Sequence, residues 1–313
     1  MVLGPDGPSF TTDFAATSRP DEAVIGLRVG GICATDLELC RGYMGFAGAL
    51  GHEWVGEVLS APDARLVGKR VVGEINCPCG TCPTCLAGRP THCASRTVLG
   101  IDARDGAFRE RFELPTANLH VVPDNVSDEA AVFVEPLAAA CQIVAQLHIK
   151  PTDRCIVIGV GRLGQLCARV LALTGAKVDA VSRRARLLDL LPSHIGQHLN
   201  ESAAELAGAD VVVDCTGSRD GMALATSLVR PRGTLVMKTT VHDPAGISPI
   251  PWIIDEVTLV GSRCGPFAPA LRLLAAGLVD PTPLITAEFS LEDGVAALQA
   301  AASKAHVKVL LRP

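Results

Sequence analysis

At 313 residues, 48% apolar and 19% charged, the chain is long enough for two domains with sizeable cores. A formal net charge of -5 gives no electrostatic motive for binding nucleic acid or an anionic membrane. No apolar run approaches the roughly 18 residues that span a bilayer, and residues 1–20 lack the basic start and apolar stretch of a signal peptide, so a cytoplasmic location is expected. Twelve cysteines in a chain of this kind suggest metal binding or chemistry more than a disulfide framework.

In chain order, residues 24–29 form the first clear strand, apolar at 25, 27 and 29. Gly31-Ile32-Cys33-Ala34-Thr35-Asp36 follows, and then Gly51-His52-Glu53. A thiolate, an imidazole and a carboxylate can hold one Zn²⁺ and leave a coordination position open for water or substrate. Alone, a Cys and a His at this spacing are more often a buried thiol and a core or surface imidazole. Short runs at 54–59 and 71–72 between Gly and Pro continue the theme of a β-rich, barrel-like domain.

Cys79, Cys82, Cys85 and Cys93 give C-x2-C-x2-C-x7-C, the closed ligand set of a structural zinc. Cys77 is left over, as a spare thiol or an alternative ligand. Cys40, Cys141, Cys155, Cys167, Cys215 and Cys264 lie in apolar surroundings and suit small core positions. Strands are expected at 108–114 and 120–122, and Ser127-Asp128-Glu129 opens a helical stretch. Glu135 then sits among Val132, Phe133, Val134 and Leu137, where an unpaired carboxylate is costly to bury. It is either a helix-surface glutamate or a carboxylate at the open site, on the zinc or on its water.

From Arg154 the texture becomes alternating strands and helices. The apolar run 155–158 suits a strand buried on both faces. Gly159-Val160-Gly161-Arg162-Leu163-Gly164 follows at once, and apolar positions 163, 166, 167, 170 and 171 mark a helix. Strand, glycine motif and helix in that order form a dinucleotide site with the pyrophosphate at the helix N-terminus. The next strand, 177–181, ends in Ser182-Arg183-Arg184, where an NAD site usually has an acid for the ribose 2′-hydroxyl. Two arginines there suit a 2′-phosphate, so NADP(H) is expected; Asp179 comes three positions too early.

Further strands are expected near 197–199 and at 211–214, 234–237 and 257–260. Cys215-Thr216-Gly217, Lys238-Thr239 and Ser262-Arg263 fall at the C-terminal ends of the last three, where ligands of parallel sheets gather. A helix with apolar positions 271, 274, 275 and 278 follows. Ser290-x-x-Asp293 suits a helix N-terminus, and 307–311 a closing strand.

In this order, the Cys33 and His52 segments, the four-cysteine lobe, Val134-Glu135-Pro136-Leu137 and the glycine motif resemble the zinc-dependent alcohol dehydrogenases of the medium-chain dehydrogenase/reductase superfamily. The resemblance covers essentially the whole chain. It implies an α/β fold: a GroES-like catalytic domain (residues 1–136, zinc lobe 77–93), a doubly wound Rossmann domain (137–264), and a return to the catalytic domain (265–313), with the active site in the cleft between them. It implies Cys33 and His52 as zinc ligands, Glu53 as a ligand or an exchanging neighbour, Thr35 as the group that takes the substrate proton, and Asp36 as their support. Glu135 stands where the polyol, sugar and threonine dehydrogenases have a glutamate, which points to polyols, sugars or amino alcohols. Glu38 replaces the histidine with which several relatives complete a proton relay. The implied reaction is hydride transfer between a zinc-polarised alcohol and C4 of the nicotinamide, in a homodimer or homotetramer. The alternatives are a catalytically silent NADPH-binding relative and a zinc-free quinone or enone reductase. Retention of Cys33, His52, Glu53 and Glu135 speaks against both.

Overall fold

A computed structural model describes residues 1–12, 19, 21–239 and 247–313. The chain divides into two compact units, Met1–Glu135 with Phe267–Pro313, and Pro136–Pro266.

The first unit is built on a seven-stranded sheet, in which Leu119–Val121, Arg70–Gly73, Glu53–Ser60, Ala23–Gly31, Lys308–Arg312 and Ile285–Ser290 lie in that order and Arg111–Leu114 also pairs with Ala23–Gly31. Alternation at 25, 27 and 29 buries Ile25, Leu27 and Val29, and with Trp54, Val58, Val71, Phe112 and Leu311 they contribute to the core. The strand Lys308–Arg312 enters from the far end of the sequence, antiparallel to Ala23–Gly31, with Leu310 opposite Gly31. Gly31 is also paired with Glu53, so this register brings three distant segments together.

The second unit is a six-stranded parallel sheet. Its order is Gly196–Leu199, Lys177–Ser182, Arg154–Ile158, Ala209–Asp214, Val229–Met237, Thr258–Gly261. Counted along the unit this is 3-2-1-4-5-6, the doubly wound Rossmann order. The central strand Arg154–Ile158 is buried from Cys155 onward, which explains its uninterrupted apolar sequence.

Several expectations need correction. The strand expected at 108–114 is confined to Arg111–Leu114, because Phe108 is used as a core wedge instead. Its ring lies where a Cβ on Gly51 would stand, 2.3 Å from Phe108 Cδ1. The helix expected at Ser290 begins only at Gly294. Ser290 ends the strand Ile285–Ser290, itself not expected, and its hydroxyl exchanges hydrogen bonds with Asp293 to close the turn. Cys141, Cys155 and Cys167 are buried as expected, but Cys40, Cys215 and Cys264 are only half-buried.

Candidate metal centre and dinucleotide site

Gly51 adopts φ +100°, a left-handed turn that only glycine enters cheaply, and it sets His52 and Glu53 at the start of their strand. Cys33 caps the helix Ala34–Leu39, whose first turn carries Thr35 and Asp36. One ligand atom each from Cys33, His52 and Glu53 lies within 4.8 Å of the others. His52 and Glu53 are buried and Cys33 is half-buried.

Fully buried Asp36 serves both other elements. Its Oδ2 accepts the Cys33 backbone N–H at 2.8 Å, and its Oδ1 stands 3.3 Å from His52 Nδ1. A carboxylate on Nδ1 fixes the imidazole tautomer and leaves Nε2 free to take up a cation. Burial disfavours charge on His52, yet the Asp36 carboxylate and the Cys33 sulfur outweigh it and raise His52 well above its ordinary value. Burial likewise raises Cys33, but His52 overcomes it and draws the thiol down to about 6. A thiolate, an oriented imidazole and a carboxylate are the donors a divalent cation takes up in place of protons, so the set fits zinc. Thr35 Oγ1 stands 3.7 Å from Cys33 Sγ.

Glu53 carries a contact that sequence reasoning missed. Its Oε2 is ion-paired with Nζ of Lys308, which is 1% exposed and lies 5.2 Å from the Phe133 ring centroid. Gly31 makes room: a Cβ there would stand 3.0 Å from Lys308 Cε and 3.1 Å from Glu53 Oε2. The available sign was a lone charge in the run Val307-Lys308-Val309-Leu310-Leu311. Glu135, in the first turn of the helix Val134–Gln146, is half-buried and stands outside the three-residue set. Glu38 is ion-paired with Arg41 at 2.6 Å.

The sulfurs of Cys79, Cys82, Cys85 and Cys93 form a second set. Separations of 3.5 Å (Cys82–Cys85), 3.8 Å (Cys82–Cys93) and 3.5 Å (Cys79–Cys93) suit a zinc tetrahedron, whose edge is about 3.8 Å for Zn–S bonds of about 2.3 Å. Backbone N–H groups of Thr81 and Cys82 draw Cys79 down to about 6, so it is prepared as a thiolate. Cys77 is not in the set. It is buried, receives a hydrogen bond from Asn118 Nδ2, and burial pushes its thiol up to about 11.

In the second unit a cavity of about 230 Å³ is lined by Gly159, Gly161, Ser182, Arg183, Arg184 and Thr216, among others. Gly159 has φ +83°, and a Cβ on Gly164 would stand 2.3 Å from Gly159 O, so both glycines serve the turn and the helix packing. Gly161 differs. Its φ of −75° is open to any residue and a Cβ would meet nothing within 4 Å. A glycine with free space beyond its Cα fits the close approach of a pyrophosphate to the helix N-terminus.

Ser182 points its hydroxyl at its own turn, accepting from Arg184 N–H and donating to Arg184 O, so it shapes the loop that presents Arg183 and Arg184. Burial and the neighbouring cations Arg186, Arg183 and Arg162 lower the Arg184 guanidinium, a sign of concentrated positive charge. Asp179 is turned away, bonded to His198 at 3.0 Å and Arg154 at 3.3 Å. Asn200, Ser218 and Asp220 also line the cavity and were not expected. Arg162, Leu163 and Gly217 flank it, whereas Lys238, Thr239, Ser262 and Arg263 lie at their strand ends outside its lining. Lys238 Nζ is bonded to Ala139 O at 2.7 Å and Ser262 Oγ at 3.2 Å.

A GroES-like unit bearing a three-donor metal set and a Rossmann unit bearing a glycine loop together define a medium-chain dehydrogenase. Residues 19–124 match the alcohol dehydrogenase GroES-like domain, and residues 163–276 match the zinc-binding dehydrogenase family. A 2-dehydro-3-deoxy-L-galactonate 5-dehydrogenase of Pseudoalteromonas atlantica is 31% identical over 91% of this chain and 90% of its own. A sorbitol dehydrogenase of Halalkalibacterium halodurans is 29% identical over 97% of this chain and 96% of its own. A zinc-binding dehydrogenase of Sinorhizobium meliloti, solved bound to NADP, superimposes with a TM-score of 0.86 at 27% identity, covering 95% of this chain and 93% of that one. The chain belongs to the zinc-dependent alcohol dehydrogenases of the medium-chain dehydrogenase/reductase superfamily, and its chemistry is the interconversion of an alcohol and a carbonyl compound.

Proposed function

We propose that the protein is a zinc-dependent, NADP(H)-linked dehydrogenase of a polyhydroxylated secondary alcohol, of the polyol, sugar or amino-alcohol class. The observation that carries this reading is the convergence of Cys33, His52 and Glu53 as three donors, which leaves one position for the reacting oxygen.

Cys33 and His52 would hold the zinc, with Glu53 as third ligand or as a neighbour that alternates between the ion and Lys308. When bound, such an ion polarises the alcohol oxygen and lowers its pKa. Asp36 orients His52 and anchors the Cys33 backbone. Thr35 takes the hydroxyl proton of the substrate at Oγ1, and Glu135 would serve as a second carboxylate for the zinc or its water. The glycine loop and Thr216 hold the dinucleotide, whose nicotinamide supplies the hydride acceptor when bound; Arg183 and Arg184 hold its 2′-phosphate. The polyol and sugar-acid names of the two curated relatives support the substrate class. The strand Thr258–Gly261 ends the sheet, and Leu259, Ile253 and Ile254 are exposed on and beside it, which supports pairing with a second copy.

The test is zinc analysis with a panel of polyols, sugar acids and amino alcohols against NADP⁺ and NAD⁺. The expected result is two zincs per chain and turnover of a vicinal polyol with NADP⁺. Zinc-loaded protein that turns over only simple primary alcohols would overturn the substrate class; turnover unaffected by zinc removal would overturn the metal reading.

A further inference from the structure

Two thiols lie side by side at the dinucleotide cavity. Cys167, on the helix Arg162–Ala172, is fully buried; Cys215, just after the strand Ala209–Asp214, is half-buried and lines the cavity. Their sulfurs are 3.9 Å apart. The backbones are close as well: a Cβ on Gly164, one turn before Cys167, would stand 3.4 Å from Cys215 Cβ. A disulfide holds its sulfurs about 2.0 Å apart, so the remaining closure is of the size that side-chain rotation supplies.

The surroundings favour sulfur chemistry. Cys215 S–H donates to Cys167 Sγ, and that hydrogen bond, with the charge of Lys238, lowers the Cys167 thiol although burial opposes it. Cys215 is raised well above its usual value by the same hydrogen bond, then by burial. The pair thus shares a proton beside a cation, and one of its members faces open space.

We propose that Cys167 and Cys215 form a modification site, a dithiol that a peroxide converts to a disulfide in the wall of the cofactor cavity. The cavity-facing Cys215 sulfur passes its proton to the Cys167 sulfur as it attacks one oxygen of hydrogen peroxide. The O–O bond breaks, the departing hydroxide takes a proton and leaves as water, and Cys215 becomes a sulfenic acid. The Cys167 thiolate then attacks the Cys215 sulfur: the S–S bond forms, the S–O bond breaks, and the hydroxide leaves as a second water with the second thiol proton. Two electrons pass from the sulfurs to the peroxide. The bridge ties the helix behind the glycine loop to the Cys215-Thr216-Gly217 loop and withdraws the Cys215 sulfur from the cavity. The bridge itself is independent of the cofactor reading; only its consequence for binding rests on that reading.

The experiment exposes zinc-loaded protein to stoichiometric hydrogen peroxide, alkylates it, and maps linked peptides by mass spectrometry. The expected product joins the Cys167 and Cys215 peptides and is reversed by dithiothreitol. In parallel, NADPH binding followed by fluorescence should weaken about tenfold on oxidation and recover on reduction. Cys167→Ala should bind NADPH as the parent does, show no such loss, and leave Cys215 trapped by a sulfenic-acid reagent. Cys167→Ser serves the same purpose should alanine unsettle the core. Both cysteines recovered as alkylated thiols after the peroxide is consumed would overturn the site. A bridge that forms with NADPH binding unchanged upholds the modification and overturns only the consequence for the cavity.

Discussion

Lys308 and Glu53, 255 residues apart in sequence, meet as a buried ion pair beside the metal set, in space kept open by Gly31. An isolated buried carboxylate is far more costly than a paired one, so removing either partner leaves an uncompensated charge. Lys308→Met should lower stability by about 3 to 5 kcal/mol in denaturant titration of zinc-free protein. Adding Glu53→Gln should restore much of that loss. A single variant as stable as the parent would show that the pair contributes no net stabilisation.

The two sulfur-containing metal sets should respond differently to mutation. Cys82→Ser breaks the closed four-sulfur set, so it should reduce soluble yield and thermal stability, because a structural zinc contributes folding energy directly. Cys33→Ser should give a folded protein with circular dichroism like the parent, NADPH binding intact and turnover nearly abolished. The check is zinc content per chain, with an expected loss of one zinc in the Cys33 variant.

Cofactor choice should follow Arg183 and Arg184. A charge-assisted hydrogen bond to a phosphate contributes roughly 1.5 to 3 kcal/mol, or about one to two decades in affinity. Ser182→Asp with Arg183→Ile should therefore move preference towards NAD⁺ with little change in kcat. Equal kcat/KM for the two cofactors in the parent enzyme would contradict the role given to these arginines.

Acid stability should depend on Asp128, which accepts from Arg28 Nε at 2.7 Å and Arg70 at 2.8 Å. Burial raises its carboxyl, but the two guanidinium groups more than offset this and hold it below its ordinary value of 3.8. A depressed folded-state value means that the stabilisation is complete above the unfolded value and is lost as pH falls through the folded one. Asp128→Asn should lower the melting temperature at neutral pH and flatten its fall in strong acid. Parallel acid-denaturation curves for parent and variant would argue against this.

The proposed pairing of two copies should be lost in Ile253→Glu with Leu259→Lys, because both residues are exposed at the end strand of the parallel sheet or on the helix that precedes it. Sedimentation of the parent as a stable monomer at micromolar concentration would remove the dimer.

Much of this was legible because the relevant chemistry is local. Cys79 to Cys93, the glycine loop after a buried strand, and the His52 segment carry their meaning within a few residues. Lys308 does not: it acquires a role only through a strand register that brings it beside Gly31 and Glu53. Ser182 was legible as a departure from an acidic position, but its hydroxyl is consumed by Arg184's backbone, which only the turn geometry reveals. Asn200, Ser218 and Asp220 come from loops whose direction no periodicity encodes.

The seven-stranded sheet also has a consequence for how the molecule is made. Its strand Lys308–Arg312 inserts between Ala23–Gly31 and Ile285–Ser290, after the whole of Pro136–Pro266 has been translated. A ribosome therefore delivers the inner unit complete while the outer one still lacks an interior strand and the partner for Glu53. Since domains fold as units during synthesis, the nested unit becomes native first and the metal set is assembled last. Nascent chains stalled before residue 308 would carry a protease-resistant core of the inner unit alone.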